Sequence, residues 1–267
     1  MRRRLDAELV RRGLVTSRRV AVEVIAAGNV TVGGAPAASA ARMVDGGEPI
    51  VVTGPPPRFV SRGGEKLDAA LERFAVPVSG RRCLDAGAST GGFTDCLLQR
   101  GAAEVVAVDV GRGQLAWTLR EDPRVRVLER TNLRHLELAE IGEPAELATA
   151  DLSFISLVLV APALVRLTAA TADLVVLVKP QFEAGRARVG RGGIVRDPLV
   201  HRDVLEQVVH GLGEAGVETV AVMESPLRGA DGNREFLAHG RKPGPGVTRV
   251  DADALEALAL GDEADPA

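Results

Sequence analysis

Only three of the 33 cationic side chains are lysines: Lys66, Lys179 and Lys242. Where a generic positive charge suffices, this sequence uses arginine. A guanidinium stays charged at any working pH, whereas an amine can be driven neutral by burial and neighbouring cations and then act as a base. The rare lysines are therefore the places to look for proton transfer. Lys179 closes the apolar run 174–178, at the carboxyl edge where α/β sheets collect their active sites. Lys66 lies on a helix-like stretch ahead of the first strand. Lys242 sits among glycines and prolines and reads as solvated. Asp151 ends the run Ala148-Thr149-Ala150, and Glu235 lies in Asn233-Arg234-Glu235-Phe236. Two lysines and two carboxylates could converge above a sheet and deprotonate a hydroxyl. Taken singly, Lys66 and Glu235 also read as ordinary surface ion pairs, which are worth little.

A second constellation is built on glycine. In Cys83-Leu84-Asp85-Ala86-Gly87-Ala88-Ser89-Thr90-Gly91-Gly92-Phe93-Thr94, Gly87, Gly91 and Gly92 let backbone approach a ligand at a strand-to-helix turn. The G-x-x-x-G-G spacing differs from the G-x-G-x-x-G of dinucleotide sites. Asp85 at the strand end would repel a pyrophosphate and attract a cationic methionyl group. Asp109 ends the next strand, where a carboxylate accepts hydrogen bonds from a ribose diol. Adenosine joined to a cationic amino acid is S-adenosylmethionine. The cofactor set is Asp85, Gly87, Ser89, Thr90, Gly91, Gly92, Phe93, Asp109, Val110, Asp151 and Phe154. NAD, or a plain packing turn, is the alternative. The histidines His135, His201, His210 and His239 show no ligand spacing, so no metal is expected.

Charge is unevenly distributed. Residues 1–62 carry ten arginines against five acids, a net +5, which leaves −8 for the remainder of a chain whose total is −3. A basic end on an acidic body points to a polyanion as partner. Arg2, Arg3, Arg4, Arg11, Arg18, Arg19, Arg62, Arg186 and Arg188 are the candidate RNA contacts. The last two open an arginine-and-glycine stretch, 185–196, that either closes over substrate or stays solvated. Six phenylalanines, one tryptophan and no tyrosine argue against an aromatic base-stacking platform. The opening Met1-Arg2-Arg3-Arg4 lacks a signal-peptide pattern, and no apolar run approaches the roughly 20 residues of a membrane span. A cytoplasmic monomer without membrane contact is expected, with Cys83 and Cys96 reduced and buried.

These residues need elements to position them. Spacing predicts helices over 5–10 and 18–27, the second capped by Ser17, then strands at 30–32 and 49–53. This small α+β unit, 1–54, leads into a proline-stiffened linker, 55–62. From residue 63, strands at 82–86, 104–109, 125–128, 146–150, 173–179, 217–224 and 233–238 alternate with helices at 92–100, 114–120, 156–167 and 198–213, after an extra helix at 65–74. Near-continuous apolar strands in that alternation mean a Rossmann-like parallel sheet with helices on both faces, spanning 63–245. A loose tail, 246–267, holds a short helix near 252–260.

The N-terminal pattern Arg4-Leu5-Asp6, Gly13-Leu14, Ser17-Arg18, Ala21, Ile25, Gly28, Val30 and Val32 resembles the S4 RNA-binding domain. Ser61-Arg62-Gly63-Gly64-Glu65-Lys66-Leu67, the segment 85–94, Ala150-Asp151-Leu152-Ser153-Phe154-Ile155-Ser156 and Val178-Lys179-Pro180-Gln181-Phe182-Glu183 resemble the TlyA family, in which an S4 domain precedes an FtsJ-like methyltransferase domain. The resemblance implies methylation of cytidine 2′-hydroxyls in 16S and 23S rRNA, with rRNA or ribosomal subunits as partner. It places the family's Lys–Asp–Lys–Glu tetrad on Lys66, Asp151, Lys179 and Glu235. Two other readings compete: an RNA-binding protein with an inactive methyltransferase fold, and a membrane-active hemolysin.

Overall fold

In the computed structural model, residues 2–15, 18–54, 57–229, 231–242 and 250–261 are described. Ser17 and the linker prolines Pro55 and Pro56 lie outside them. The chain divides into two compact units, Met1–Ser61 and Arg62–Ala267.

The first unit runs β1 (Arg3–Arg4), α1 (Leu5–Arg11), α2 (Arg18–Ala26), β2 (Val30–Val32), β3 (Ala35–Pro36), β4 (Met43–Val44) and β5 (Ile50–Val52). Strands β3, β2 and β5 form an antiparallel sheet in that order, and β1 pairs with β4. Leu5 and Leu9 on α1 and Ala21 and Ile25 on α2, each pair four apart on one helical face, meet Val30, Val32 and Ile50 in a small sealed core.

The second unit follows as α3 (Gly63–Arg73), β6 (Arg82–Ala86), α4 (Gly92–Gln99), β7 (Glu104–Val108), α5 (Trp117–Arg120), β8 (Val125–Leu128), α6 (Leu138–Ile141), β9 (Ala145–Ala150), α7 (Leu157–Arg166), β10 (Thr168–Val178), α8 (Pro180–Glu183), α9 (Pro198–Glu214), β11 (Glu218–Glu224), β12 (Phe236–Arg241) and α10 (Ala252–Leu260). Seven strands make one sheet in the order β11-β12-β10-β9-β6-β7-β8. Period two sorts the strand side chains. Leu84, Val106, Ala148, Leu174 and Val176 face the layer made by α7, α9 and α10. Cys83, Val105, Leu147 and Val175 take the other face, on the side of the packed pair α3 and α4. Burying each large aliphatic side chain stabilises by about 1.5–3 kcal/mol.

Several expectations need correction. The sheet is not wholly parallel, because β12 runs antiparallel between β10 and β11. It spans 236–241, not 233–238. The helix expected over 114–120 begins only at Trp117, since Ala116 takes a non-helical backbone, φ −55° and ψ 139°, and stands as its N-cap. Lys242 is not solvated. Its Nζ donates to the carbonyls of Val165 and Thr168 at 2.6 and 2.7 Å, closing the C-terminal end of α7. The helix expected near 252–260 is present as α10, and its Leu255 and Ala259 are buried in the main core.

Candidate active site

The turn after β6 is shaped by one close approach. The Gly87 φ is +85°, and a Cβ there would meet the Asp151 carbonyl oxygen at 2.5 Å. The Asp151 amide in turn donates to the Ala86 carbonyl at 3.0 Å. Glycine is thus required for the loops after β6 and β9 to touch. On the neighbouring side Asp109, just past β7, receives the Ser89 amide at 2.8 Å on one oxygen and the Gly111 amide at 2.6 Å on the other. One carboxylate therefore fixes the glycine turn and its own loop together.

Between these loops opens a cleft of about 430 Å³. Of the proposed cofactor residues, Gly87, Ser89, Asp109, Val110, Asp151 and Phe154 line it. Gln114, Thr131, Asn132 and Ile155 also line it and were not anticipated. Thr131 and Asn132 follow the end of β8, so the strand-end rule could have found them. A larger depression, about 590 Å³, lies among α9, β11 and α10, away from every candidate residue.

Asp85, Thr90, Gly91, Gly92 and Phe93 do not border the cleft. Asp85 is fully buried and accepts a hydrogen bond from the Thr94 hydroxyl at 2.6 Å. Burial pushes its carboxyl up to about 7, against the opposing hydrogen bond from Thr94. Through Thr94 it tethers the first turn of α4. Gly91, at φ 97°, is the left-handed N-cap of α4, and Leu115 and Leu119 pack against it. Phe93 points into the core.

The lysines and acids form two ion pairs. Lys179 Nζ pairs with Asp151 Oδ1 and donates to Ser153 Oγ at 3.2 Å. Lys66 Nζ pairs with Glu235 Oε2, both side chains being buried. The sheet places the pairs side by side. Asp151 follows β9 and Lys179 follows β10, while Val178 stands opposite Phe236, so Glu235 is next in register to Lys179. Gly229 leaves room for Glu235, since a Cβ there would come within 2.4 Å of its Oε1. Asp151 belongs to both constellations: it lines the cleft and holds Lys179. Phe154, at φ 63° and 91% exposed, stands over Phe182 with ring centroids 5.0 Å apart. Glu183, one residue on, is buried and accepts from Ser156 Oγ at 2.6 Å and from the Leu157 amide at 2.8 Å. It ties the segment after Lys179 to the segment after Asp151, and burial raises its carboxyl above the usual range.

Residues 59–242 match the FtsJ-like methyltransferase family, and residues 3–50 match the S4 domain. A 16S/23S rRNA (cytidine-2′-O)-methyltransferase TlyA of Mycobacterium tuberculosis is 56% identical over 237 residues, covering 88% of each chain. This chain belongs to the TlyA family. Hemolysin A of Brachyspira hyodysenteriae is 40% identical over 88% of this chain and 98% of its own. A solved structure from Streptococcus thermophilus, likewise named for hemolysin, superposes with a TM-score of 0.79 at 39% identity, covering 98% of this chain and 95% of that one. The N-methyltransferase NodS of Bradyrhizobium japonicum, at 18% identity and a TM-score of 0.51 over 69% of this chain and 98% of its own, shares the fold alone. Among the described residues of this TlyA-family chain, no helix is long and apolar enough to cross a membrane. No group of three or more His, Cys, Asp or Glu residues there could hold a metal ion.

The arginines of the TlyA-family chain divide by what already holds them. In the first unit Arg4 and Arg18 pair with Asp6, Arg11 with Glu8, Arg2 with Asp45 and Arg19 with Glu23. Arg3 stands half-exposed, 4.0 Å from Glu8. In the second unit Arg62 precedes α3, Arg186 is exposed, and Arg188 pairs with Asp203 at 3.0 Å. The stretch 185–196 is folded into two short 3-10 turns. Asn233, buried beside Glu235 in sequence, pins it by donating to the Gly193 carbonyl and accepting from the Val195 amide, both at 2.9 Å.

Proposed function

We propose that this chain transfers a methyl group from S-adenosylmethionine to the 2′-hydroxyl of cytidine in rRNA, of the small subunit, the large subunit or both. The observation that carries the reading is the double role of Asp151, which lines the ligand cleft and grips the Lys179 amine. The substrate is read from the M. tuberculosis relative, named as a 16S/23S rRNA (cytidine-2′-O)-methyltransferase, together with the S4 match.

The cleft suits that cofactor by its donor set. Two carboxylates, Asp109 and Asp151, fit a ribose diol and a cationic amino-acid end, and Val110, Leu133, Phe154 and Ile155 supply apolar wall for an adenine. When bound, S-adenosylmethionine supplies a methyl group activated by a positively charged sulfur. The chain's own residues do the rest. Lys179 Nζ accepts the hydroxyl proton as the oxygen attacks, while Asp151 and Ser153 hold the amine on target. Lys66 and Glu235 act as a buried pair that fixes the ribose and sets the local charge.

The test is tritium transfer from labelled cofactor to purified ribosomal subunits. Wild type labels rRNA at a 2′-O-methyl position, and Lys179→Arg, which keeps charge and length, loses label by on the order of a hundredfold or more. Equal labelling by Lys179→Arg removes the base assignment. No labelling of either subunit by wild type removes the substrate assignment and leaves the chain an RNA binder with a silent methyltransferase fold.

A further inference from the structure

The RNA-facing candidates of the first unit are not loose surface charges. Asp6 is only 2% exposed, yet its carboxylate carries two guanidinium groups. Arg4 grips it with two nitrogens, Nε to Oδ1 at 3.1 Å and Nη2 to Oδ2 at 2.9 Å. Arg18, at the start of α2, donates Nη2 to the same Oδ2 at 2.8 Å. The Ala7 amide completes the set with a 2.8 Å bond to Oδ1. These hydrogen bonds, that from Arg4 foremost, hold the Asp6 carboxyl far below the ordinary carboxylate range. Both arginine side chains nevertheless remain about half open to solvent, at 48% and 60%. Glu8, fully buried, does the same for Arg11. Arg12 is the contrast. It also pairs with Glu8, but its remaining nitrogens go to the carbonyls of Asp45, Gly46 and Glu48, and it is largely covered.

We propose that Asp6 is a positioning residue for RNA: it aligns Arg4 and Arg18 as a two-pronged clamp for backbone phosphate. The proposal rests on the RNA-binding reading of this unit. The physical argument is one of preorganisation. A free arginine loses rotamer freedom when it binds phosphate, and a guanidinium already fixed along one edge has less to lose while keeping its other N–H groups for the ligand. A buried carboxylate can do this without approaching the RNA.

Bulk electrostatics predicts the opposite outcome, which makes the proposal testable. Asp6→Asn makes the unit more positive by one charge, so a charge-only account expects tighter RNA binding. The clamp account expects weaker binding, roughly fivefold or more at about 0.15 M salt. It also expects the slope of log affinity against log salt to shrink by about 0.7–0.9 for each phosphate that is no longer engaged. The measurement is fluorescence anisotropy of the full chain with a labelled rRNA hairpin, read from low to high salt, with circular dichroism confirming the fold. Arg4→Lys is the second variant. It sits on the surface, keeps the charge and removes the fork that Asp6 holds, so the clamp predicts a loss and bulk charge predicts none. Tighter or unchanged binding by Asp6→Asn with an undiminished salt slope overturns the proposal, as does an Arg4→Lys variant that binds like wild type. Arg4→Gln and Arg18→Gln separate the two levels. If they bind as wild type does, this face is not an RNA surface at all. If they weaken binding while Asp6→Asn strengthens it, only the positioning role falls.

Discussion

Lys179 and Lys66 stand out in the sequence because arginine is used almost everywhere else, and each is found gripping a carboxylate. The glycine-turn argument set Asp85 against a ligand, yet its side chain does not border the cleft. A strand-end acid beside a glycine turn resembles a ligand contact, but period two turns this side chain to the α4 face, where Thr94 seals it. Which face a strand-end residue takes depends on register, which an apolar run does not encode. Burial gives Asp85 a pH signature. Its carboxyl is raised to about 7 in the folded protein. Between the ordinary aspartate value near 4 and about 7, the unfolded chain has released a proton that the folded one retains, so stability declines with rising pH across that window. Asp85→Asn removes the decline. In urea titrations the variant should gain on wild type from pH 4 to 7, by an amount on the order of a few kcal/mol, and hold a constant lead above pH 7. A gap that does not change with pH would place the Asp85 carboxyl in a solvated setting instead.

The elements that position the site were largely legible, because apolar runs ending in a charged residue mark strand ends whatever the strand direction. Direction itself was not legible, and β12 is antiparallel for reasons of topology, not composition. Two predictions belong at this scale. Gly87→Ala forces a side chain into a left-handed backbone and against the Asp151 carbonyl, so the loops after β6 and β9 must separate. A stability loss of about 1–3 kcal/mol is expected from the strained backbone. Calorimetry should show weakened cofactor binding by the folded fraction, and normal binding would mean the two loops need not touch. The second concerns Asp173 in β10, which receives His239 at 2.8 Å, Arg81 at 2.7 Å and Arg241 at 2.9 Å, stitching β12 and the lead into β6 onto one strand. Burial alone would raise its carboxyl, but the three hydrogen bonds outweigh it and hold it well below the usual range. The stabilisation is therefore complete above the ordinary aspartate value, near 4, and fades as pH falls below it. Asp173→Asn should cost about 2 kcal/mol at neutral pH, discounted because the arginines are partly solvated. That difference should narrow progressively below pH 4 in thermal unfolding curves.

At the scale of the molecule, the two units carry opposite charge and different chemistry. The first unit's nine arginines against five acids, a net +4, and the buried carboxylates beneath Arg4, Arg11 and Arg18 suit capture of a phosphate backbone, which is worth affinity and carries no base sequence. The second unit, net negative, holds the cleft and both lysine pairs, and its ligand chemistry calls for carboxylates. If RNA affinity comes from the first unit and the reaction barrier is lowered by the second, the kinetic constants should separate. Arg18→Gln removes binding energy shared by the ground and transition states, so the KM for ribosomal subunits should rise several-fold while kcat stays within about twofold of wild type. Lys179→Arg removes an interaction made only as the proton moves, so kcat should collapse while the Kd for the same subunits is unchanged. Steady-state tritium transfer paired with anisotropy titrations reads both. A collapse of kcat in Arg18→Gln with the fold intact would show that the first unit also sets the geometry of the reacting ribose, and the division between capture and chemistry would have to be given up.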